Sequence, residues 1–513
     1  MTEQPRAVAW WRSAVAGMVT VAAALATGEL VAALLGAAQT PLLAVGAQFV
    51  DRFAASLKEL AVAVFGTNDK PALLIGTVTV TLLLGAIAGV LARRIGWLVP
   101  ALVAVLSLVG AAAQLADPRS SLVVVVVGGV AANAAGWAVW RLLGRGLGAG
   151  AASAGQRPPS RRDFLALSGV TAAAAAGAAA LSRVAAGATG SGAPAPDIAL
   201  PEPGDIVSIP DTAAFEADGV SPYVTSSEDF YRIDTALTVP RVDVANWRLR
   251  IEGMVDQPIE IDYEQLLAMP SVERPVTLQC VSNQVGGNLV DNAVWQGVPL
   301  ADLLASVGVQ QGAEQVFSTS VDGFTAGFPT AIVDGDRTVL VAYAMNGEPL
   351  PPEHGFPARL VVAGLYGYVS ATKWLETIEL TTWDGNDGYW VPRGWSKEGP
   401  IKLASRIDVP GDGESVPAGS VVLGGVAWLP DTGIGAVEVS LDGGDWVACE
   451  LAPVANADTW VQWRLEAPDV GVGSHRAEVR AQDARGDYQS EEELPPAPDG
   501  ATGLHSREFD VVG

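Results

Sequence analysis

Histidine and cysteine are almost missing from this 513-residue sequence, with three and two copies. The histidines are His354, His475 and His505. No bis-histidine haem can therefore form in anything that precedes His354. Cys280 and Cys449 are too few for a disulfide framework, and no paired spacing offers the four ligands of a structural zinc site. Cations are scarce in the second part of the chain. Through Ala195 there are 14 Lys and Arg against 7 Asp and Glu; of the totals of 31 and 56, 17 and 49 remain beyond it. An acidic surface of that size excludes nucleic acid as a partner, because phosphate recognition needs clustered Lys and Arg.

Long apolar runs fill the first part instead. Four of them, near Ser13–Ala38, Pro71–Ala92, Trp97–Ala116 and Ser121–Leu142, approach the ~20 residues that cross a bilayer. "FVDRFAASLKELAVAVFG", residues 49–66, mixes charges at helical spacing and reads as an interfacial amphipathic helix. Arg6, Arg12, Arg93, Arg94, Arg141 and Arg145 flank one side of these spans, so the positive-inside rule puts the N-terminus in the cytoplasm. "SRRDFLALSGVTAAAAAGAAALSRVAAG", residues 160–187, reads either as an internal twin-arginine export signal or as an ordinary fifth span. Both readings put everything after about Ala195 on the extracytoplasmic side of the cell membrane. Residues 1–150 are thus four transmembrane helices with the amphipathic segment, and 151–195 are the fifth segment and linker.

The acidic remainder divides again. Residues 196–399 alternate short strands with short helices such as "VPLADLLASVGV", the pattern of an α+β domain. Residues 400–513 hold alternating strands between Gly and Asp turns, which fits an immunoglobulin-like β-sandwich. Cys449, in "GGDWVACEL", reads as a core strand residue. Cys280, in "TLQCVSNQVGG", stands between an apolar strand and a Gly-rich turn. Burial as a small hydrophobe, a Cys–His nucleophile and a thiolate on a soft metal that brings its other ligands all fit. Arg359 and Lys373 lie inside apolar strand runs, where an unpaired charge is costly.

Over most of residues 220–510 the sequence resembles the sulfite oxidase family of molybdopterin-dependent oxidoreductases. "TLQCVSN" followed by "AVWQGVPLADLL" is similar to its molybdenum-ligating segment. "VLVAYAMNGEPLPPEHGFPARLVVAGLYGYVSATKWLETIEL", Val339 to Leu380, carries its Met-Asn-Gly, His-Gly-Phe-Pro-x-Arg and Lys-Trp series. The resemblance implies a molybdenum–molybdopterin cofactor in residues 196–399, with Cys280 as the protein's ligand to the metal. His354 would contact the pterin, while Arg359 and Lys373 would hold its phosphate. Asp322, in "SVDGFT", would accept hydrogen bonds from the pterin, or is a plain turn residue. Tyr389, in "DGYWVPRGW", aligns with a tyrosine that faces the metal, or packs in an aromatic loop. Arg232, after Phe230-Tyr231, resembles an active-site arginine for an anionic substrate or the cofactor. The Pro400–Gly513 region resembles a dimerisation module, and "SVVLGGVAW" and "GAVEVSLDGG" would present edges that a homodimer covers.

Departures from the family pattern bear on substrate. Val285 stands where a sulfite-binding arginine is expected, and Asp234 stands where the Arg-Asn-His segment has histidine. The loop between Asn283 and Trp295 lacks a tryptophan-bearing insertion. The haem domain of the animal enzymes is not expected, so electrons would pass to a separate partner. The resemblance implies oxygen-atom transfer to or from a small substrate; reduction of S- or N-oxides, or a cofactor-free membrane scaffold, are the competing readings.

Overall fold

The computed structural model describes residues 10–37, 39–49, 69–117, 120–144, 161–190, 198–215, 219–237, 239–240, 242–335 and 337–513. The chain forms two compact units, Met1–Gly192 with Thr235–Val239, and Ala193–Asp234 with Pro240–Gly513. The expected amphipathic helix at 49–66 falls almost wholly outside the described residues.

In the first unit the apolar runs become α1 (Trp10–Leu34), α2 (Asp69–Leu91), α3 (Leu98–Leu115), α4 (Leu122–Gly144) and α5 (Arg161–Gly190). Each contains a stretch long and apolar enough to cross a membrane. α1 is central and packs on α2, α4 and α5. Small residues permit that closeness: a side chain at Gly17 would run into the Gly85 carbonyl and Gly89, and one at Gly89 into the Ser13 carbonyl. Phe164 of α5 is buried with Ala16, Val19 and Leu143. The Arg12 guanidinium lies 5.7 Å from the Phe164 ring, and Arg141 lies 4.4 Å from that of Trp137. The start of α1, the end of α4 and the start of α5 therefore share one end of the bundle, and it is the arginine-bearing end.

The second unit begins with two sheets around one core. One has the order β1 (Asp205–Ile206), β4 (Val272–Gln279), β5 (Val290–Pro299), β8 (Val339–Met345), β10 (Arg359–Val362), with β9 (Glu348–Pro349) on β8. The other runs β3 (Ile259–Ile261), β2 (Leu249–Gly253), β11 (Leu375–Thr381), β6 (Gln315–Ser320), β7 (Thr325–Pro329). β8, "VLVAYAM", is buried throughout, which is why it reads as a continuous apolar run rather than an alternating one. Asn346 and Gly347 turn β8 into β9 with φ of 52° and 80°, the conformation that makes Asn-Gly the favoured hairpin pair. Asn346 Nδ2 then donates to the Thr225 carbonyl (3.0 Å) and Ser227 Oγ (3.2 Å), tying down the segment that leads to Arg232.

Residues 404–512 form two further sheets, β12 (Ala404–Val409), β14 (Gly419–Trp428), β18 (Val461–Val470), β17 (Glu450–Leu451), and β13 (Glu414–Pro417), β20 (His505–Val512), β19 (Gly473–Asp483), β15 (Ile434–Leu441), β16 (Val447–Ala448). Leu423, Trp463, Val479 and Phe509, drawn from both sheets, share their core. Two expectations are corrected here. Of the two strands expected to present edges, β14 lies between β12 and β18, and β15 is covered on its outer side only by the two-residue β16, because strand order is set by long-range pairing that local alternation does not encode. Cys449 lies between β16 and β17, half-buried at the rim of the core rather than inside it.

Candidate functional site

Cys280 follows the last residue of β4, where Gln279 pairs with Val290. Its N–H donates to the Leu289 carbonyl (2.9 Å), and its own carbonyl accepts from Asn283 N–H (3.0 Å). The loop turns at Gly286, with φ of 72°, and any side chain there would collide with the His505 ring. The thiol is free and half-exposed. Arg406 of β12 braces the same loop: Nη1 donates to the Gly287 carbonyl (2.7 Å), Nη2 to Ser221 Oγ (2.8 Å) and Nε to Asp408 Oδ1 (2.6 Å).

Tyr231 interacts electrostatically with both Cys280 and Arg359. Burial first, and the Cys280 charge second, hold its phenol well above the usual range, so it remains a protonated donor. Its N–H donates to Asp291 Oδ2 (2.7 Å). Burial lifts the Asp291 carboxyl to about 6 despite that bond.

Arg359 begins β10 and is buried over the Trp295 ring at 4.9 Å. Nε donates to the Leu360 carbonyl (3.3 Å) and Nη1 to the His354 carbonyl (3.2 Å). Neither acceptor is charged, and among the described residues no carboxylate pairs with this guanidinium. Burial lowers its pKa to about 10. A cation held in protein without an anion costs several kcal/mol, so an anionic ligand is the complement this group fits. His354 Nε2–H donates to the Ser227 carbonyl (2.7 Å), and burial, then Arg359, lowers the imidazole to about 4. It is a neutral donor at pH 7.

Lys373, just before β11, is buried, and burial lowers its pKa to about 8. Nζ reaches Asp234 Oδ2 (3.0 Å) and the Glu353 carbonyl (3.1 Å). The same Asp234 oxygen meets Arg232 Nε at 3.1 Å. Asp234 is 4% exposed and Arg232 41%. Lys373 in turn feels the charges of Arg359 and Arg232, so Cys280, Tyr231, Arg359, His354, Lys373, Asp234 and Arg232 form one neighbourhood. The sequence marks Asp234 only as a missing histidine and Tyr231 only as a neighbour of Arg232, because their partners lie too far along the chain to be visible locally.

Asp322 Oδ1 accepts from Phe324 N–H (3.1 Å) in the β6–β7 turn, the local turn arrangement. Tyr389 packs on Phe324, with ring centroids 5.8 Å apart, and the Arg393 guanidinium lies 3.7 Å over its ring. This pair joins the main group through Val321, whose N–H donates to the Trp374 carbonyl beside Lys373 (2.8 Å).

Among the described residues no three His, Cys, Asp or Glu side chains gather to hold a metal ion. A lone thiol at a strand end suits a metal that arrives with its other ligands, and the uncompensated Arg359 suits an attached phosphate. The residues fit a molybdenum–pterin group.

Comparison with known proteins identifies the family. The family described as "oxidoreductase molybdopterin binding domain" matches residues 236–390. The uncharacterized oxidoreductase YuiH of Bacillus subtilis (strain 168) is 38% identical over 157 residues, 31% of this chain and 76% of that protein. Mitochondrial sulfite oxidase of Homo sapiens is 30% identical over 293 residues, 48% of this chain and 53% of the relative. NADH nitrate reductase 1 of Arabidopsis thaliana is 29% identical over 269 residues, covering 42% and 29%. The chain spans about half the length of the sulfite oxidases it matches. The sulfane dehydrogenase SoxCD from Paracoccus pantotrophus aligns at a TM-score of 0.49 and 23% identity, over 57% of this chain and 85% of that one.

Proposed function

Because the chain belongs to the sulfite oxidase family of molybdopterin oxidoreductases, we propose that it is a membrane-anchored enzyme moving an oxygen atom to or from a small substrate outside the cytoplasm. The observation that carries the reading is Arg359, a buried guanidinium over the Trp295 ring without a carboxylate among the described residues, which shares Tyr231 with Cys280 as an electrostatic neighbour. When bound, the molybdenum–pterin group supplies the two-electron exchange that accompanies oxygen-atom transfer.

The side chains hold, orient and hydrogen-bond. Cys280 offers its thiolate to the metal from a strand end stiffened by the Leu289 and Asn283 bonds. Arg359 and Lys373 hold the phosphate, and neutral His354 and the Asp322 turn line the pterin. Tyr231 and Tyr389 are the candidate phenol donors to the substrate oxygen, and of the two Tyr231 interacts electrostatically with Cys280. Arg232 stands at the exposed end, where substrate enters.

Five apolar helices supply the anchor, and the gathering of Arg12, Arg141 and the α5 start at one end supports that end being cytoplasmic. The catalytic unit then follows α5 outward. Arg161 and Arg162 open α5 either as a twin-arginine signal or as a positive-inside flank. The 400–513 region is proposed as immunoglobulin-like and as the contact of a homodimer, the latter on its family resemblance alone. Electrons are exchanged with a separate carrier. The test is turnover by the purified, molybdenum-loaded protein: sulfite with ferricyanide as acceptor, and sulfoxides or N-oxides with reduced viologen as donor. Oxygen transfer to or from any of these supports the reading; metal-loaded protein inert in both directions contradicts it.

A further inference from the structure

The Asp234 carboxylate joins two cations of the site, and it does so from a buried position. Its oxygen is 3.0 Å from Lys373 Nζ and 3.1 Å from Arg232 Nε. The single carboxylate offsets one of these two positive charges and weakens the field that either cation presents to a ligand. Of the three cations in the neighbourhood, only Arg359 is left without a carboxylate among the described residues, and the cofactor phosphate is its complement. The chain as a whole carries −25. With the Arg359 charge taken by the cofactor phosphate, an oxyanionic substrate meets Arg232 and Lys373 with one of their two charges already offset.

We propose that Asp234 is a specificity-determining residue that offsets the charge of Arg232 and Lys373, so that this site favours an uncharged oxygen-atom donor of the sulfoxide class over an oxyanion. The inference rests on the reading of the site as a molybdenum–pterin enzyme. In the favoured direction a sulfoxide takes up two electrons and two protons, its S–O bond breaks, and thioether and water leave. The electrons come from the separate carrier. The disfavoured reaction takes sulfite and water to sulfate, two protons and two electrons.

The experiment compares wild-type and Asp234→Asn full-length protein in detergent, each assayed for molybdenum and released pterin before kinetics. The readout is the ratio of kcat/KM for sulfite, with ferricyanide, to kcat/KM for dimethyl sulfoxide, with reduced viologen. Removing one charge from beside the pocket should raise that ratio by at least about tenfold. Adding Arg232→Gln to the variant should abolish the gain, since the freed guanidinium is what would hold the anion. An unchanged ratio in a metal-loaded variant overturns the proposal, as does a gain that survives in the double variant. Loss of molybdenum from Asp234→Asn also overturns it, because Asp234 would then be part of the cofactor seat. Failure of the underlying reading looks different: wild-type protein would lack molybdenum, or would turn over neither probe, whatever stands at position 234.

Discussion

Replacing Arg406 by methionine separates the brace of the Cys280 loop from the loop itself. The guanidinium and its partner Asp408 are each 9% exposed, and three donors are used, on Asp408, Ser221 and the Gly287 carbonyl. Methionine fills much of the volume but leaves the Asp408 carboxylate buried with one remaining donor, Ser221 N–H at 2.9 Å. Breaking a buried pair by removing one partner costs about 3–5 kcal/mol. For a unit of this size that corresponds to a fall in Tm of roughly 5–7 °C. Removing both charges, as Arg406→Met with Asp408→Asn, should recover a large part of the loss, because the stranded charge is gone. The assay is tryptophan fluorescence of the detergent-solubilised protein on heating, with the rate of molybdenum release to a chelator followed in parallel. Release should quicken in Arg406→Met, since the Gly287 carbonyl behind Cys280 loses its donor. A single variant with unchanged Tm and unchanged release would refute the view that the two-sheet region holds the thiolate loop in place.

Three other outcomes are expected. Gly89→Leu should prevent α1 and α2 from closing against Ser13 and Gly17, read as loss of the compact solubilised form and faster proteolysis, whereas Gly76→Leu, facing open space, should be tolerated. His354 and His505 are each lowered to about 4 by burial, so both are neutral in the fold and protonate more readily when unfolded. Their contribution is full above the unfolded value near 6.5 and is lost as pH falls through about 4, about 3 kcal/mol apiece; the raised Asp291 opposes part of it between 3.8 and about 6. Unfolding midpoints between pH 4 and 6.5 should therefore fall with acid, and His505→Gln should flatten the slope by about one proton. Replacing Arg161 and Arg162 by lysine should leave the catalytic unit inside the cell if α5 is a twin-arginine signal; unchanged accessibility to external protease would make α5 an ordinary span.

Local composition carried the helices well, since an apolar run of about 20 residues has few alternatives in water or lipid. The family resemblance singled out Cys280, His354, Arg359 and Lys373, and the structure brings them into one neighbourhood. What local reading missed depends on partners far along the chain. Asp234 meets Lys373 across 139 positions, and Arg406 reaches Gly287 across 119. The supposed edge strands failed for the same reason, because β14 is flanked by β12 and β18 only once the whole sheet has assembled. Asp322 and Tyr389 came with a local alternative each, a turn and an aromatic loop, and their contacts with Phe324 include both.

The most direct measurement is the molybdenum and pterin content of the purified full-length protein beside its Cys280→Ser and Arg359→Met variants. The account predicts about one molybdenum and one pterin per wild-type chain, loss of metal from the serine variant because a hydroxyl is a poor soft-metal ligand, and loss of pterin from the methionine variant. Wild-type protein without molybdenum, or a Cys280→Ser variant that keeps it and turns over normally, would contradict the account.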